Sequence, residues 1–177
     1  MNSELPSREQ AIAFLRENNC SPPVISHCIA VANYALETAH RLQSKGLAID
    51  LTLIEAGALL HDIGRSKTHG VDHSLIGAQI IQKLGLSKSI VNIVKRHVGA
   101  GITAAEANRL GWPKDDYTPQ TLEEKIVCYA DKRIDNVDVI PIDVEIERLQ
   151  RAGFGAAAER VRRLHVEISS LLGESHD

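Results

Sequence analysis

The sequence predicts an all-α protein, and three observations carry that prediction. Aromatic residues make up only 3% of the chain, so the core must be built from aliphatic side chains and alanine. That favours packed helices over a β-sandwich, which draws on aromatic and β-branched strands. Apolar residues recur at three- and four-residue intervals along most of the chain. Helix signals punctuate the runs, with Ser, Thr or Pro before them and glycine after them. The length suits one domain, 1–177, able to bury a real core. The punctuation divides it into about seven to nine helices.

The elements follow in order. Ser7-Arg8-Glu9-Gln10 has the form of a capping box, opening a short helix that ends near Asn18-Asn19. Pro22-Pro23 starts a long helix with the apolar stripe Val24, Cys28, Val31, Ala35, Ala39 and Leu42, stopped by Gly46. Thr52-Leu53-Ile54-Glu55 has the form of a second box. The helix it opens is almost wholly apolar, hence central, and ends at His61-Asp62-Ile63-Gly64. Arg65 to Asp72 is polar and predicts a loop. A helix from about His73 to Leu84 is closed by Gly85, and Ser87 caps the next, to about Val98. Thr103-Ala104-Ala105-Glu106 is a third box, on a short helix stopped by Gly111. Residues 111–120, with Trp112, two prolines and Asp115-Asp116, predict a loop. Thr121-Leu122-Glu123-Glu124 is a fourth box, for a helix through about Asp131. Val137 to Ile142 has a strand's composition without a visible partner, and Pro141 breaks the chain. The last helix runs from about Phe154 to Leu172, before a frayed tail, GESHD.

Charge and composition narrow the function classes. A net charge of -3 gives no argument for nucleic acid or an anionic membrane as partner. Cys20, Cys28 and Cys128 are odd in number and form no CxxC, as expected of reduced thiols in a cytoplasmic protein. The polar start MNSELPSREQ is not a signal peptide, and no apolar run spans a bilayer.

Histidines and acids fall where apolar residues are expected. His27 lies beside the stripe of the long helix, and His61-Asp62 ends the most apolar one. His73 shares a face with Ile76, Gly77 and Ile80, while His97 continues Ile90, Ile93 and Val94. Asp131 shares a face with Val127, Ala130 and Ile134. Unpaired buried carboxylates and unsatisfied imidazoles are costly, so a hydrogen-bonded core network or a bound metal must satisfy them together. A single inward histidine is weak evidence. His165, on a stripe with Val161, Leu164 and Ile168, is expected to be structural, His40 solvated and His176 part of the tail.

The order His27, His61-Asp62, Asp131 resembles the H…HD…D signature of the HD-domain superfamily of metal-dependent phosphohydrolases, and GALLHDIGR is close to its usual wording. The resemblance covers roughly residues 22 to 135, with the first and last helices packing on that core. It implies an all-α HD-domain bundle and His27, His61, Asp62 and Asp131 as ligands of a divalent metal. His73 and His97 resemble the extra histidines of dinuclear members. Those include HD-GYP cyclic dinucleotide phosphodiesterases and diiron hydrolases of diadenosine tetraphosphate. The resemblance therefore implies two ions, Fe or Mn first with Mg, Zn, Co or Ni as alternatives, bridged by Asp62. The GYP segment is absent, which counts against a cyclic dinucleotide role.

The implied activity is hydrolysis of a phosphate ester or anhydride of a nucleotide or similar small molecule, by a metal-activated hydroxide. Asp62, Arg65 and Lys67 are the candidate catalytic residues, and Arg65, Lys67, Arg96 and Arg133 the candidate substrate contacts. Arg65 stands where dinuclear relatives often carry Lys, and its pKa is too high for a proton donor. The general acid then falls to Lys67 or a metal-bound water. The same ligand order also occurs in diiron oxygenases of the superfamily, and a third alternative is a nucleotide-binding regulatory HD domain without catalysis. The oligomeric state is open, a homodimer included.

Overall fold

The computed structural model describes residues 5–174, so His176 and the end of the tail lie outside the described residues. Among these, nine α-helices carry the chain, with one two-stranded hairpin. They are α1 (Arg8–Glu17), α2 (Pro22–Gln43), α3 (Leu51–Leu60), α4 (His73–Lys83), α5 (Lys88–Arg96), α6 (Ala104–Arg109) and α7 (Leu122–Lys132). The hairpin β1 (Ile134–Asp135) and β2 (Asp138–Val139) follows, then α8 (Ile142–Arg151) and α9 (Gly155–Leu172). Short 3-10 turns, Ile63–Ser66 and Val98–Ala100, follow α3 and α5.

The apolar α3 is central, packing against α1, α2, α5 and α7. Ile54, Ala56, Ala58, Leu59 and Leu60 are all buried. Its neighbours turn their predicted stripes inward: Cys28, Val31, Ala35, Ala39 and Leu42 of α2, and Ile90, Ile93 and Val94 of α5. The capping boxes at Ser7 and Thr103 are both closed. The three cysteines are free and buried. No helix among the described residues is long and apolar enough to cross a membrane.

Four expectations need correction. Thr52 does not cap α3. Asp50 does, accepting from Leu53 N at 2.9 Å, while Glu55 pairs with Arg8 at 2.7 Å. The strand seen in Val137 to Ile142 has its partner directly before it, with Ile134 opposite Val139 and Asp135 opposite Asp138. Part of the predicted loop Arg65 to Asp72 continues the 3-10 turn as far as Ser66. Finally, Pro141 starts a helix rather than only breaking the chain. It is the N-cap of α8, whose Ile142 and Ile146 are buried and which packs on α9. Proline fits there because the first helical N–H groups have no partner within the helix.

Two glycines let the backbone after α3 touch α4. A Cβ on Gly64 would lie 1.9 Å from His73 O and 2.7 Å from Gly77 N, and one on Gly77 would lie 2.8 Å from a Val94 methyl. This approach brings His73 beside His61-Asp62. Gly64→Ala is therefore expected to cost about 2–3 kcal/mol in urea unfolding. Gly155→Ala, with nothing within 4 Å of its Cβ, should stay within about 0.5 kcal/mol of the parent. Equal stability of the two variants would refute the close-approach account.

Candidate metal centre

Six side chains from five parts of the chain meet here, and local backbone decides which way each ring points. His61 follows the last residue of α3, with Nδ1 2.7 Å from the carbonyl of Ala58. His97 does the same after α5, 2.7 Å from Val94 O. His73 opens α4, 2.8 Å from Gly70 O. His27 lies inside α2 and finds its carbonyl far along the chain, at Asn136 of the hairpin turn, 2.9 Å away. A carbonyl only accepts, so Nδ1 is the donor in all four rings. The lone pair of each neutral ring is therefore on Nε2.

The Nε2 atoms converge on two carboxylates. Those of His27 and His61 lie 3.0 and 3.3 Å from Asp131 Oδ1, and 4.0 and 3.7 Å from Asp62 Oδ2. Those of His73 and His97 lie 3.1 and 3.4 Å from Asp62 Oδ1. Asp62 thus turns one oxygen toward each pair of rings. His73 Nε2 and His97 Nε2 are only 3.0 Å apart, so in neutral rings two lone pairs face each other. His61 Nε2 and Asp62 Oδ1 are buried without a hydrogen-bond partner. Donor atoms of His27, His61 and Asp131 lie within 4.8 Å of one another, as do those of His61, Asp62 and His97. This set fits divalent metal, because a cation satisfies lone pairs and orphaned oxygens that no protein donor reaches.

The local field also calls for positive charge. Burial opposes ionisation of Asp62, but His61, His73 and His97 outweigh it and hold the carboxyl well below the usual range. Burial likewise opposes ionisation of Asp131, and Lys132, His27 and His61 outweigh it. Burial disfavours a proton on His61, yet Asp62 leads the groups that push its pKa well above the ordinary value. Burial lowers His97 to about 4, which keeps its ring neutral at pH 7.

The predicted basic residues divide. Arg65, on the turn after Asp62, donates Nε to Asp62 Oδ2 at 2.6 Å. Lys67 is exposed, and its side chain makes none of the cluster's hydrogen bonds. Arg96 and Arg133, expected as substrate contacts, are engaged elsewhere. Arg96 is buried against Glu124, at 2.9 and 3.0 Å, and donates to Asp116 O. That pairing also leaves the fourth capping box half-made, with Thr121 capping Glu124 N while the Glu124 side chain turns to Arg96. Arg133 donates to Ile140 O and Tyr129 Oη and lies over the rings of Tyr34 and Tyr129.

His40 and His69 are exposed, and Trp112 packs edge-on against the buried Tyr117. Sequence reasoning missed Lys132, whose ammonium is 2.6 Å from Asp131 Oδ2. The available signal was its position directly after Asp131, an aspartate on an apolar face.

The Arg96–Glu124 pair makes a stability prediction. Glu124→Ala leaves a buried guanidinium unpaired and is expected to cost about 3–5 kcal/mol in urea unfolding. The double variant Arg96→Met/Glu124→Leu should recover most of that loss. A single variant as stable as the parent would return Arg96 to the candidate substrate contacts.

Comparison with known proteins places this geometry. The family model of the HD domain matches residues 24–134, which contain all six side chains. An uncharacterized protein of Methanocaldococcus jannaschii is 45% identical over 93% of this chain and 98% of its own. A tRNA (cytidine(56)-2'-O)-methyltransferase of Picrophilus torridus is 39% identical over 98% of this chain, but the chain spans only 49% of that protein. Among solved structures, the HD domain of the L. monocytogenes phosphodiesterase PgpH, in complex with cyclic-di-AMP, superposes with a TM-score of 0.56. It is 17% identical and covers 94% of this chain and 97% of that one, a likeness of fold. A helical bundle that carries His27, His61-Asp62, His73, His97 and Asp131 in this order, inside the matched segment, belongs to the HD domain family.

Proposed function

We propose that the chain is a metal-dependent phosphohydrolase acting on a small phosphorylated substrate of the nucleotide type. The observation that carries this reading is the convergence of four imidazole Nε2 atoms on the two carboxylates of Asp62 and Asp131. Membership of the HD domain family supports it, and so does the shared fold with a phosphodiesterase HD domain.

His27, His61 and Asp131 would hold one divalent ion, and His73 and His97 a second, with Asp62 shared between them. Imidazole with carboxylate suits Fe or Mn, with Mg, Zn, Co and Ni as alternatives. Divalent ions held there supply Lewis acidity toward phosphoryl oxygens and an acidified water as nucleophile. The chain's own residues do the rest. The backbone carbonyls of Ala58, Gly70, Val94 and Asn136 fix the rings before any ligand arrives. Burial of His61, Asp62, His73 and His97 excludes bulk water, which strengthens every charge interaction in the site. Arg65 anchors Asp62 and brings a guanidinium, with its fork of donors, beside the carboxylate.

Purified protein reconstituted with Mn or Fe should carry about two ions per chain by elemental analysis. His73→Ala should move that toward one, and Asp62→Ala should abolish hydrolysis in a screen of nucleotides and phosphodiesters. Absence of metal above background after reconstitution would falsify the proposal. Oxygen uptake without phosphate release would point to oxygenase chemistry instead.

A further inference from the structure

We propose that Lys132 is a substrate-positioning residue, gripping a phosphoryl oxygen beside the Asp131 carboxylate; this rests on the phosphohydrolase reading above. Lys132 is the last residue of α7. Its ammonium lies 2.6 Å from Asp131 Oδ2, while Asp131 Oδ1 faces His27 and His61 at 3.0 and 3.3 Å. The lysine thus stands on the far side of a carboxylate whose near side belongs to the imidazole cluster.

Helix geometry does not impose this contact. Successive residues diverge by about 100°, so the side chain must fold back across the helix end to reach its neighbour. Its side chain is only 12% exposed, and burying an ammonium is costly unless the charge is used. An ammonium has three donors, and Asp131 Oδ2 takes one of them. Glu145 of α8 adds negative charge nearby.

The charges around the cluster point the same way. Arg65 sits on Asp62, and Lys132 sits on Asp131. With neutral imidazoles as ligands, Arg65 and Lys132 offset the charges of Asp62 and Asp131. Most of the positive charge of any bound divalent ions is then left for the ligand. That balance suits a phosphate bearing two or more negative charges, a terminal monoester or a pyrophosphate, over a singly charged diester. A lysine retained only to close an ion pair at a helix end would not touch phosphate affinity.

The test uses the Mn-loaded full chain and inorganic phosphate, titrated by calorimetry. Lys132→Met is expected to weaken phosphate binding about tenfold or more, the loss of one charged hydrogen bond, with Mn content unchanged. Lys132→Arg should stay within a few-fold of the parent, and Lys125→Met, on the same helix and paired with Glu167, should match it. If Lys132→Met is unstable, Lys132→Gln makes the same comparison. Phosphate affinity unchanged in the Met or Gln variant overturns the proposal, as does a loss of Mn that accounts for the weaker binding. A parent protein that binds Mn but neither binds phosphate nor hydrolyses any phosphate ester refutes the phosphohydrolase reading itself. Tight phosphate binding in both parent and Lys132→Met refutes only the role of Lys132.

Discussion

The claim of four backbone carbonyls on four imidazole Nδ1–H groups is the constraint from which the rest of the site follows. Three of the four are local. Ala58, Gly70 and Val94 each lie three residues before their histidine. At the ends of α3 and α5 these carbonyls belong to the last turn, where no intrahelical N–H remains to satisfy them. A histidine placed just past the helix end caps the carbonyl and commits its other nitrogen to the interior in one step. His27 is the exception, because a residue inside α2 has no free carbonyl on its own helix. It depends on Asn136, held at a positive φ of 55° in the hairpin turn. Asparagine is among the few non-glycine residues that adopt this conformation readily. The small hairpin after α7 is therefore part of the site's scaffold.

Such a cluster works against folding when nothing fills it. Asp62 and His61 lose water and gain no protein hydrogen bond at Oδ1 and Nε2. The surrounding helices must offset that loss, and they do so with an aliphatic core in which α3 is nearly all buried. A metal-holding role and stability would thus compete at His61-Asp62, as function and stability commonly do at preorganised sites. Drawing donor atoms from α2, α7 and the ends of α3, α4 and α5 would also couple any bound metal to the whole bundle, because no single hairpin contains either donor group.

Much of this was legible in the sequence, for identifiable reasons. Periodicity and caps locate most helices because both are local properties. The six inward-facing groups are legible because each breaks an apolar pattern. What failed was tertiary. Arg96 looked like a pocket residue because it precedes His97, but neighbours on a helix face different ways, and its partner Glu124 lies on another helix. Asp50 captured the cap of α3 because Glu55, the residue that would have closed a box with Thr52, is drawn away by Arg8. The helix after Pro141 was hidden by reading proline only as a breaker. Lys132 was hidden because its contact with Asp131 runs against the usual divergence of adjacent helical residues.

His165 shows what distinguishes a core histidine from the histidines of the cluster. It lies on an apolar stripe as convincing as that of His97, with Val161, Leu164 and Ile168 buried around it. Yet its Nδ1 meets Tyr129 Oη at 3.0 Å and Ser169 Oγ at 3.3 Å, and its ring stacks on Tyr129. Hydroxyls can donate or accept, so they adapt to whichever tautomer the ring adopts. The cluster histidines have no such latitude, since a carbonyl on one side fixes the tautomer and a carboxylate on the other demands positive charge. Burial alone therefore says little about a histidine. The acceptor opposite Nδ1 and the charge opposite Nε2 together decide whether it is built to hold a cation.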